Sequence, residues 1–331
     1  MNQNIRIKVK TPVGESDSVD TGPGVGQGTV DGATLSSVNL DNGVKEEFHD
    51  NDENVEQDEV RENVNKIDKV NYEGITLEPL LFQDDVLNIL DSVEAAQLSN
   101  KKMENILENK LLDFNLQKSA YIIAGSKKAR QKLKVKVEGN PIMLCSQLMK
   151  EVTSEKYLGC QLSATVADCV INTVNKRLGL ATQHIYEIRA VLEDSRNRSV
   201  GSVTTAFQMW DASVLPMLLF GCETWSPVPK IILNKLKDLT TRFLKVTMGV
   251  GKNGCPLPCL YWMTGTKLIE NEILQRKMMF YHHVSTLPPG TLSRDFHNVQ
   301  KEHGLGVVAE CQQVLEEWNL SNIEVYSKNQ F

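Results

Sequence analysis

LLFQDDVLNIL, residues 80–90, places two adjacent carboxylates, Asp84 and Asp85, between two apolar runs. Asp is a common turn residue, so the pair alone indicates no more than a turn. The flanking residues, 75–82 and 86–90, have the composition of two β-strands. Together they predict a β-hairpin with two negative charges at its tip.

A helix is predicted after this hairpin, over residues 93–114. Its apolar residues recur at the spacing of one helix face: Met103, Ile106, Leu107, Leu111 and Phe114. We expect that face to pack against the hairpin. A hairpin with a packed helix predicts an α+β fold for this part of the chain.

The net charge of −6 is concentrated in one segment. Of 42 acidic and 36 basic residues, residues 45–69 contain ten acidic and four basic ones, which leaves 32 of each elsewhere. This segment has almost no large apolar side chains, so its composition predicts a mobile insertion rather than part of a core. The longest apolar run, near residues 214–220, is too short to span a bilayer, and no membrane association is expected.

Seven scattered cysteines predict reduced thiols in an intracellular protein, and they do not distinguish nucleus from cytoplasm. Cys255 and Cys259 flank two prolines in CPLPC, and His282 and His283 follow at a distance. The spacing fits no standard zinc pattern. A zinc site and a loop stiffened by proline both stay open.

Two further segments have a marked composition. Residues 21–37, TGPGVGQGTVDGATLSS, contain five glycines, and such a backbone can approach a ligand closely. They follow a strand signal in which Ile5 and Ile7 alternate with basic residues. Residues 127–136, KKARQKLKVK, contain six Lys or Arg, which is typical of a solvated surface and equally of phosphate contact.

From about residue 164 onward the pattern is helical. Val170, Val174 and Leu178 are spaced by four residues, as are Ile188 and Leu192. Further helices are predicted over residues 208–219, 231–250, 268–284 and 307–318.

Six short motifs then occur in one order along the chain. They are GVGQGTVDGA (24–33), FQDD (82–85), the amphipathic helix after it, NLQKS (115–119), YLG (157–159) and LPMLLFGCETW (215–225). In this order they resemble the palm and helical thumb of reverse transcriptases, most closely those of non-LTR retrotransposons. The resemblance covers most of residues 5–285.

The resemblance implies two-metal nucleotidyl transfer, with an RNA template, a DNA primer and deoxynucleotides as partners. Asp84 would then be the metal-bridging carboxylate, and Asp85 would add charge and a weaker ligand. The expected cofactor is Mg²⁺ or Mn²⁺, because these cations prefer carboxylate, phosphate and water oxygens. A bound cation would also relieve the repulsion between the two carboxylates.

The resemblance also implies roles for other motif residues. Gly26, Gln27 and Gly28, with Gln83, would lie near the template and incoming nucleotide, although a plain glycine turn is the alternative for the loop. Lys118 would neutralise or protonate the departing pyrophosphate, or be an exposed surface lysine.

The YLG hairpin would have a role of its own. Tyr157, Leu158 and Gly159 would grip the primer, or form a simple core hairpin. Leu219 and Trp225 are expected in the thumb core.

Two features depart from the family pattern. Gln83 stands where a small or apolar residue is usual. Only about twenty residues precede the Gly-rich loop, and Asp17 and Asp20 there read as loop residues, so the first catalytic aspartate and the fingers are expected to be missing.

The expected layout has three parts: a partial palm over residues 1–160, a helical thumb over 161–286 and a helical tail over 287–331. The chain would be part of a polymerase that needs an upstream segment. The alternative is a non-catalytic relic that acts as a nucleic-acid or protein interaction module.

Overall fold

The computed structural model describes residues 70–82, 85–109, 112–194, 200–251 and 254–320, together with strand segments at 5–7, 10–11, 14–15 and 19–21. It divides into two compact units, Met1–Val152 and Thr153–Phe331. Helices and small strand pairs make this an α+β protein, as predicted. None of the helices in the described ranges is long and apolar enough to cross a membrane.

Four short strands near the start of the chain form two antiparallel pairs: β1 (Ile5–Ile7) with β4 (Val19–Thr21), and β2 (Lys10–Thr11) with β3 (Gly14–Glu15). The prediction that Asp20 lies in a loop is wrong, because Asp20 is in β4, opposite Arg6. The β-branched residues on both sides of it, Val19 and Thr21, favour an extended backbone.

Two antiparallel hairpins follow: β5 (Val70–Tyr72) with β6 (Ile75–Leu77), and β7 (Leu80–Phe82) with β8 (Asp85–Leu87). The predicted hairpin is therefore confirmed, but Asp85 lies in β8 opposite Phe82 and not at the tip, and Asp84 lies outside the described residues. The single strand predicted over residues 75–82 is instead broken between β6 and β7. Pro79 lies at this break, and proline lacks the amide hydrogen that a continuous ladder would need.

Helix α1 (Val93–Asn109) carries the buried cluster of the first unit, formed by Met103, Ile106 and Leu107. Leu81 and Val86 of the β7–β8 hairpin pack against this cluster. The predicted packing of hairpin and helix is confirmed. The helix ends five residues earlier than predicted, although Phe114, beyond its end, still packs on the same cluster.

The first unit also contains a second helix, α2 (Lys127–Gly139), which begins after the N-cap residue Ser126. Four strands of two residues accompany it: β9 (Ala120–Tyr121), β10 (Met143–Leu144), β11 (Gln147–Leu148) and β12 (Lys150–Glu151). β10 pairs with β11 in antiparallel fashion, whereas β9 pairs with β12 in parallel. Within the described segments, no sheet has more than two strands.

The second unit opens with the hairpin of β13 (Ser154–Tyr157) and β14 (Cys160–Ser163), which packs on helix α3 (Val166–Asp194). Thr165 starts that helix as a capping residue: its Oγ1 accepts a hydrogen bond from the Asp168 amide at 3.1 Å and donates to the Asp168 carboxylate at 2.7 Å. The hairpin predicted at residues 156–160 is confirmed.

Helices account for most of the second unit after α3. They are α4 (Val200–Met209), α5 (Leu215–Leu219), α6 (Lys230–Met248), α7 (Leu257–Thr264), α8 (Ile269–Ser285), α9 (Leu292–His303) and α10 (Gly306–Glu317). A π-helical turn, Trp210–Val214, joins α4 to α5. Pro216 cannot donate the usual helical hydrogen bond, and the helix widens just before it.

One continuous core holds α3 to α6 and the start of α8 together. Trp210 stacks on Phe243 with ring centroids 4.2 Å apart, and Phe207 meets Phe243 edge-on at 5.3 Å. Leu219 and Trp225 are buried in this core, as predicted. CPLPC proves to be more than a proline-rigid loop, because Pro256 caps α7 and Cys259 lies inside that helix.

Candidate nucleic-acid interface

The FQDD hairpin leaves only Gln83 and Asp84 between its paired strands, and both lie outside the described residues. In the strand pair that the structure describes, Phe82 stands opposite Asp85. Both of these side chains are exposed. The hairpin therefore presents the Asp85 carboxylate to solvent while Leu81 and Val86 face the α1 cluster.

The described part of this hairpin contributes one carboxylate as a donor for a metal ion. Asp85 offers the hard oxygen donor that Mg²⁺ and Mn²⁺ prefer, but a single carboxylate cannot position two cations. Across the described part of the chain, no three His, Cys, Asp or Glu side chains lie close enough to hold a metal ion. Asp85 could therefore hold a metal ion only together with Asp84, which lies outside the described residues.

Lys118 lies in a turn that Asn115 stabilises. The Lys118 amide donates to the Asn115 backbone oxygen at 3.0 Å and to its side-chain oxygen at 3.3 Å. Its side chain is exposed. The segment before this turn reaches the α1 cluster through Phe114, so hairpin and turn share one packing surface.

The Gly-rich loop cannot be compared with its prediction. Gly26, Gln27 and Gly28, as well as Asp17, lie outside the described residues. The same holds for the acidic segment 45–69. Their predicted roles stay predictions.

The basic run forms α2, in which no residue is buried. Ser126 Oγ accepts the Ala129 amide at 3.3 Å, which fixes the first turn of the helix. Lys134 pairs with Glu151 at 2.8 Å, whereas Lys128, Lys132 and Lys136 are exposed and recur every four residues. One face of this helix therefore presents a row of positive charge to solvent.

The tip of the β13–β14 hairpin is a two-residue turn with left-handed backbone at both positions. The φ angle is +46° at Leu158 and +81° at Gly159. Glycine adopts this conformation readily, but leucine rarely does. Leu158 is 41% exposed, so its side chain points to solvent and not into a core.

Sequence reasoning missed Arg177, the residue that joins this hairpin to the LPMLLFGCETW segment. Its side chain is buried and donates to the backbone oxygens of Gly159, at 2.8 Å, and of Phe220. The YLG and FGC motifs thus meet around one guanidinium group. A signal was present in the sequence, since Arg177 falls on the same helix face as the buried Val170 and Val174.

The buried thiols of the second unit are unsuited to nucleophilic chemistry. Burial, and to a lesser degree Glu223, raises the pKa of Cys222 to about 12, and burial raises the pKa of Cys311 to about 11. Both thiols therefore stay protonated at neutral pH. All seven cysteines are free of disulfide bonds.

The site residues thus fall into two groups. The carboxylate hairpin, Lys118 and the basic helix belong to the first unit, and the YLG hairpin with Arg177 belongs to the second. No protein-family model, curated protein or solved structure matches this chain.

Proposed function

We propose that this chain is the palm-and-thumb part of an RNA-directed DNA polymerase of the non-LTR retrotransposon type. Asp84 and Asp85 would hold Mg²⁺ or Mn²⁺ for nucleotidyl transfer, and Lys118 would assist the departing pyrophosphate. Gly26, Gln27, Gly28 and Gln83 would contact template and nucleotide. Tyr157, Leu158 and Gly159 would hold the primer strand.

One observation carries the proposal: FQDD stands at a hairpin packed on a helix, with an exposed carboxylate beside the turn. A turn between strands is a rigid position for paired carboxylates. Burial of Asp85 in a helix or core would have excluded access by a cation or a phosphate. Its exposure is what the chemistry requires.

A second candidate function is a nucleic-acid interaction module without chemistry. The exposed lysine row on α2 favours it, because phosphate contact needs positive charge and no metal. Both candidates involve nucleic acid. They differ in whether Asp84 and Asp85 bind a cation.

Binding of Mn²⁺ to the full chain, followed by electron paramagnetic resonance, separates the two. The measurement is made with an RNA template annealed to a DNA primer, and primer extension is recorded on the same samples with Mg²⁺ and with Mn²⁺. The test variant is Asp84→Asn combined with Asp85→Asn. Asp91→Asn, which removes an exposed carboxylate just before α1, is the matched control.

The polymerase proposal expects bound Mn²⁺ in the wild type and in Asp91→Asn, and a loss of about tenfold or more in affinity in the double variant. Metal-dependent primer extension that disappears in the same variant would establish the enzyme. Equal Mn²⁺ binding by all three proteins would contradict the metal site. Template binding would then support the interaction module alone.

A further inference from the structure

We propose that Phe220 is a second contact residue for the nucleic-acid strand at the YLG hairpin, and that Arg177 is the positioning residue that holds the two together. The inference rests on the proposed function, which assigns the strand contact to Tyr157, Leu158 and Gly159. Phe220 belongs to a segment distant in sequence from the hairpin, and Arg177 connects the two.

The Arg177 side chain joins two turns with one planar group. Its guanidinium donates to the Gly159 oxygen and to the Phe220 oxygen, and its central carbon lies 5.4 Å from the centre of the Phe220 ring. The side chain is only 7% exposed, so water does not replace these bonds easily. Lysine lacks the fork that reaches two carbonyl groups at once.

The two turns are packed closely against each other. A Cβ atom on Gly159 would lie 3.4 Å from Cε1 of Phe220, and one on Gly221 would lie 3.2 Å from Sγ of Cys160. Both glycines have left-handed backbone, with φ of +81° and +75°. The sequence therefore uses glycine at the two points where the segments touch.

This contact leaves two apolar side chains exposed. Leu158 is 41% exposed and Phe220 is 55% exposed, although each belongs to a turn that is held firmly. Leu158 also keeps a backbone conformation that is unfavourable for a bulky residue. Positive φ angles also occur in the two-residue turns at Glu73–Gly74 and Cys145–Ser146, so they are the geometry of such hairpins, and it is the exposure of Leu158 and Phe220 that indicates a contact surface.

The charge beside this tip matches a nucleic-acid strand. Lys156 stands opposite Gln161 in the hairpin, and Lys176 donates to the Gln161 side-chain oxygen at 2.6 Å. Both lysines are exposed, and the Glu155 carboxylate of β13 accepts a hydrogen bond from the Lys156 amide at 3.1 Å. An aromatic face with nearby cations is how proteins hold unpaired or terminal nucleotides. We assign the Phe220 ring to the terminal base or sugar and the lysines to its phosphates.

The test uses the full chain in EDTA, so that no metal ion contributes. The probe is an RNA template annealed to a DNA primer with 2-aminopurine at its 3′ end, and both binding affinity and 2-aminopurine fluorescence are measured. Phe220→Ala should bind about tenfold more weakly and lose the fluorescence change on binding. Phe220→Trp should keep both, whereas Trp262→Ala, which truncates an aromatic side chain that is 85% exposed, should leave both unchanged.

The role of Arg177 is tested by Arg177→Lys, which keeps the charge and loses the fork. It should weaken binding as much as Phe220→Ala, and the double variant should bind no more weakly than either single variant, because both act through one surface. A purely structural role would lower the melting temperature and leave the 2-aminopurine signal intact. Should Arg177→Lys fail to fold, the Phe220 variants still decide the assignment.

Wild-type binding with an unchanged Phe220→Ala affinity would overturn the inference. Failure of the wild type to bind the probe would overturn both the inference and the proposed function. Weaker binding by Phe220→Ala, together with Mn²⁺ binding that does not depend on Asp84 and Asp85, would support this contact and contradict the polymerase proposal.

Discussion

The two units of this protein differ in how their folds are supported. In the second, a single described cluster of twenty buried residues links α3, α4, α5, α6 and α8. In the first, the described cluster on α1 has three buried residues. The described strands there are two or three residues long, and each pairs with one other strand. Isolated two-stranded hairpins are marginal in water, so the described β7–β8 pair depends on its packing against α1.

The proposed metal-binding residues and the larger described core therefore lie in different units. The residues proposed to hold a metal ion lie on the less supported unit, where binding of a cation and nucleic acid would add stability by mass action. The residues proposed to contact the strand lie on the unit with the larger core. Five sets of substitutions test this contrast.

The largest effect is expected from Phe243→Ala, at the centre of the second core. It removes a ring that packs on both Trp210 and Phe207, and such truncations cost about 3–5 kcal/mol. Trp fluorescence during urea unfolding measures it, because all four tryptophans of the sequence fall in the second unit.

Met103→Ala is the matching change in the first unit. It should raise amide hydrogen exchange along α1 and leave the Trp transition in place. A shift of that transition by more than about 1 kcal/mol would show that the two units unfold as one. The contrast would then be wrong.

A smaller effect is expected where α10 docks on α8. Glu310 pairs with Lys277 and accepts a hydrogen bond from Ser226 at 2.7 Å. The Lys277 side chain is 5% exposed and that of Glu310 is 35% exposed. Removal of the carboxylate leaves the buried Lys277 ammonium group without its partner, so Glu310→Ala should lower the free energy of unfolding by about 2–3 kcal/mol. Lys277→Met removes the buried charge itself and should lower it by about 1 kcal/mol. Equal losses in thermal unfolding would contradict this asymmetry.

The sequence predicted those parts of the fold that depend on local pattern. Apolar spacing identified α1, α3, α6, α8 and α10, and turn residues identified both hairpins. Helix α9 lies within the predicted helical tail but was not predicted as an element of its own, because its apolar face is short, with Leu292, Phe296 and Val299, and its buried residue is His297. The division after Val152 also has no local marker, since it depends on which core each segment joins.

The candidate site was predictable where one motif carries it and not where two segments meet. Asp85 and the YLG turn were predicted because each lies within a short sequence motif. Arg177 was not, because its partners are backbone oxygens of Gly159 and Phe220, and a carbonyl group leaves no trace in a sequence. Only a charged residue on an apolar helix face pointed to it.

A pH-dependent effect is expected at His297, which lies in α9 with its ring 4.9 Å from that of Tyr281. Burial lowers the pKa of His297 below 6.5, and Lys301 and Arg294 lower it further. The unfolded chain therefore takes up the proton first, so the contribution to stability is complete above the unfolded pKa and is lost as pH falls below about 6.5.

His297→Phe keeps the ring contact and removes the titration. Its melting temperature should fall less than that of the wild type between about pH 7.5 and about pH 5.5. His283→Gln, at an exposed position of α8, should behave as the wild type does. An identical pH profile for His297→Phe and wild type would mean that His297 gains its proton without opening the fold.

The smallest effect on stability, and the clearest on binding, is expected from helix α2. Replacement of Lys128, Lys132 and Lys136 by Gln should change the unfolding free energy by less than about 0.5 kcal/mol per site, because none of them is buried. Each phosphate contact contributes about 0.9 to the slope of log affinity against log salt on duplex DNA, so the triple variant should flatten that slope by about 2 to 3 units. Lys230, Lys267 and Lys301, exposed lysines of the second unit, provide the matched triple control, which should leave the slope unchanged. An equal flattening in both triple variants would mean that nucleic acid responds to the general charge of the protein. A slope that changes only in the α2 variant would place the phosphate contacts on a helix in which no residue is buried, whereas the second unit, with its larger described core, would contribute none of them.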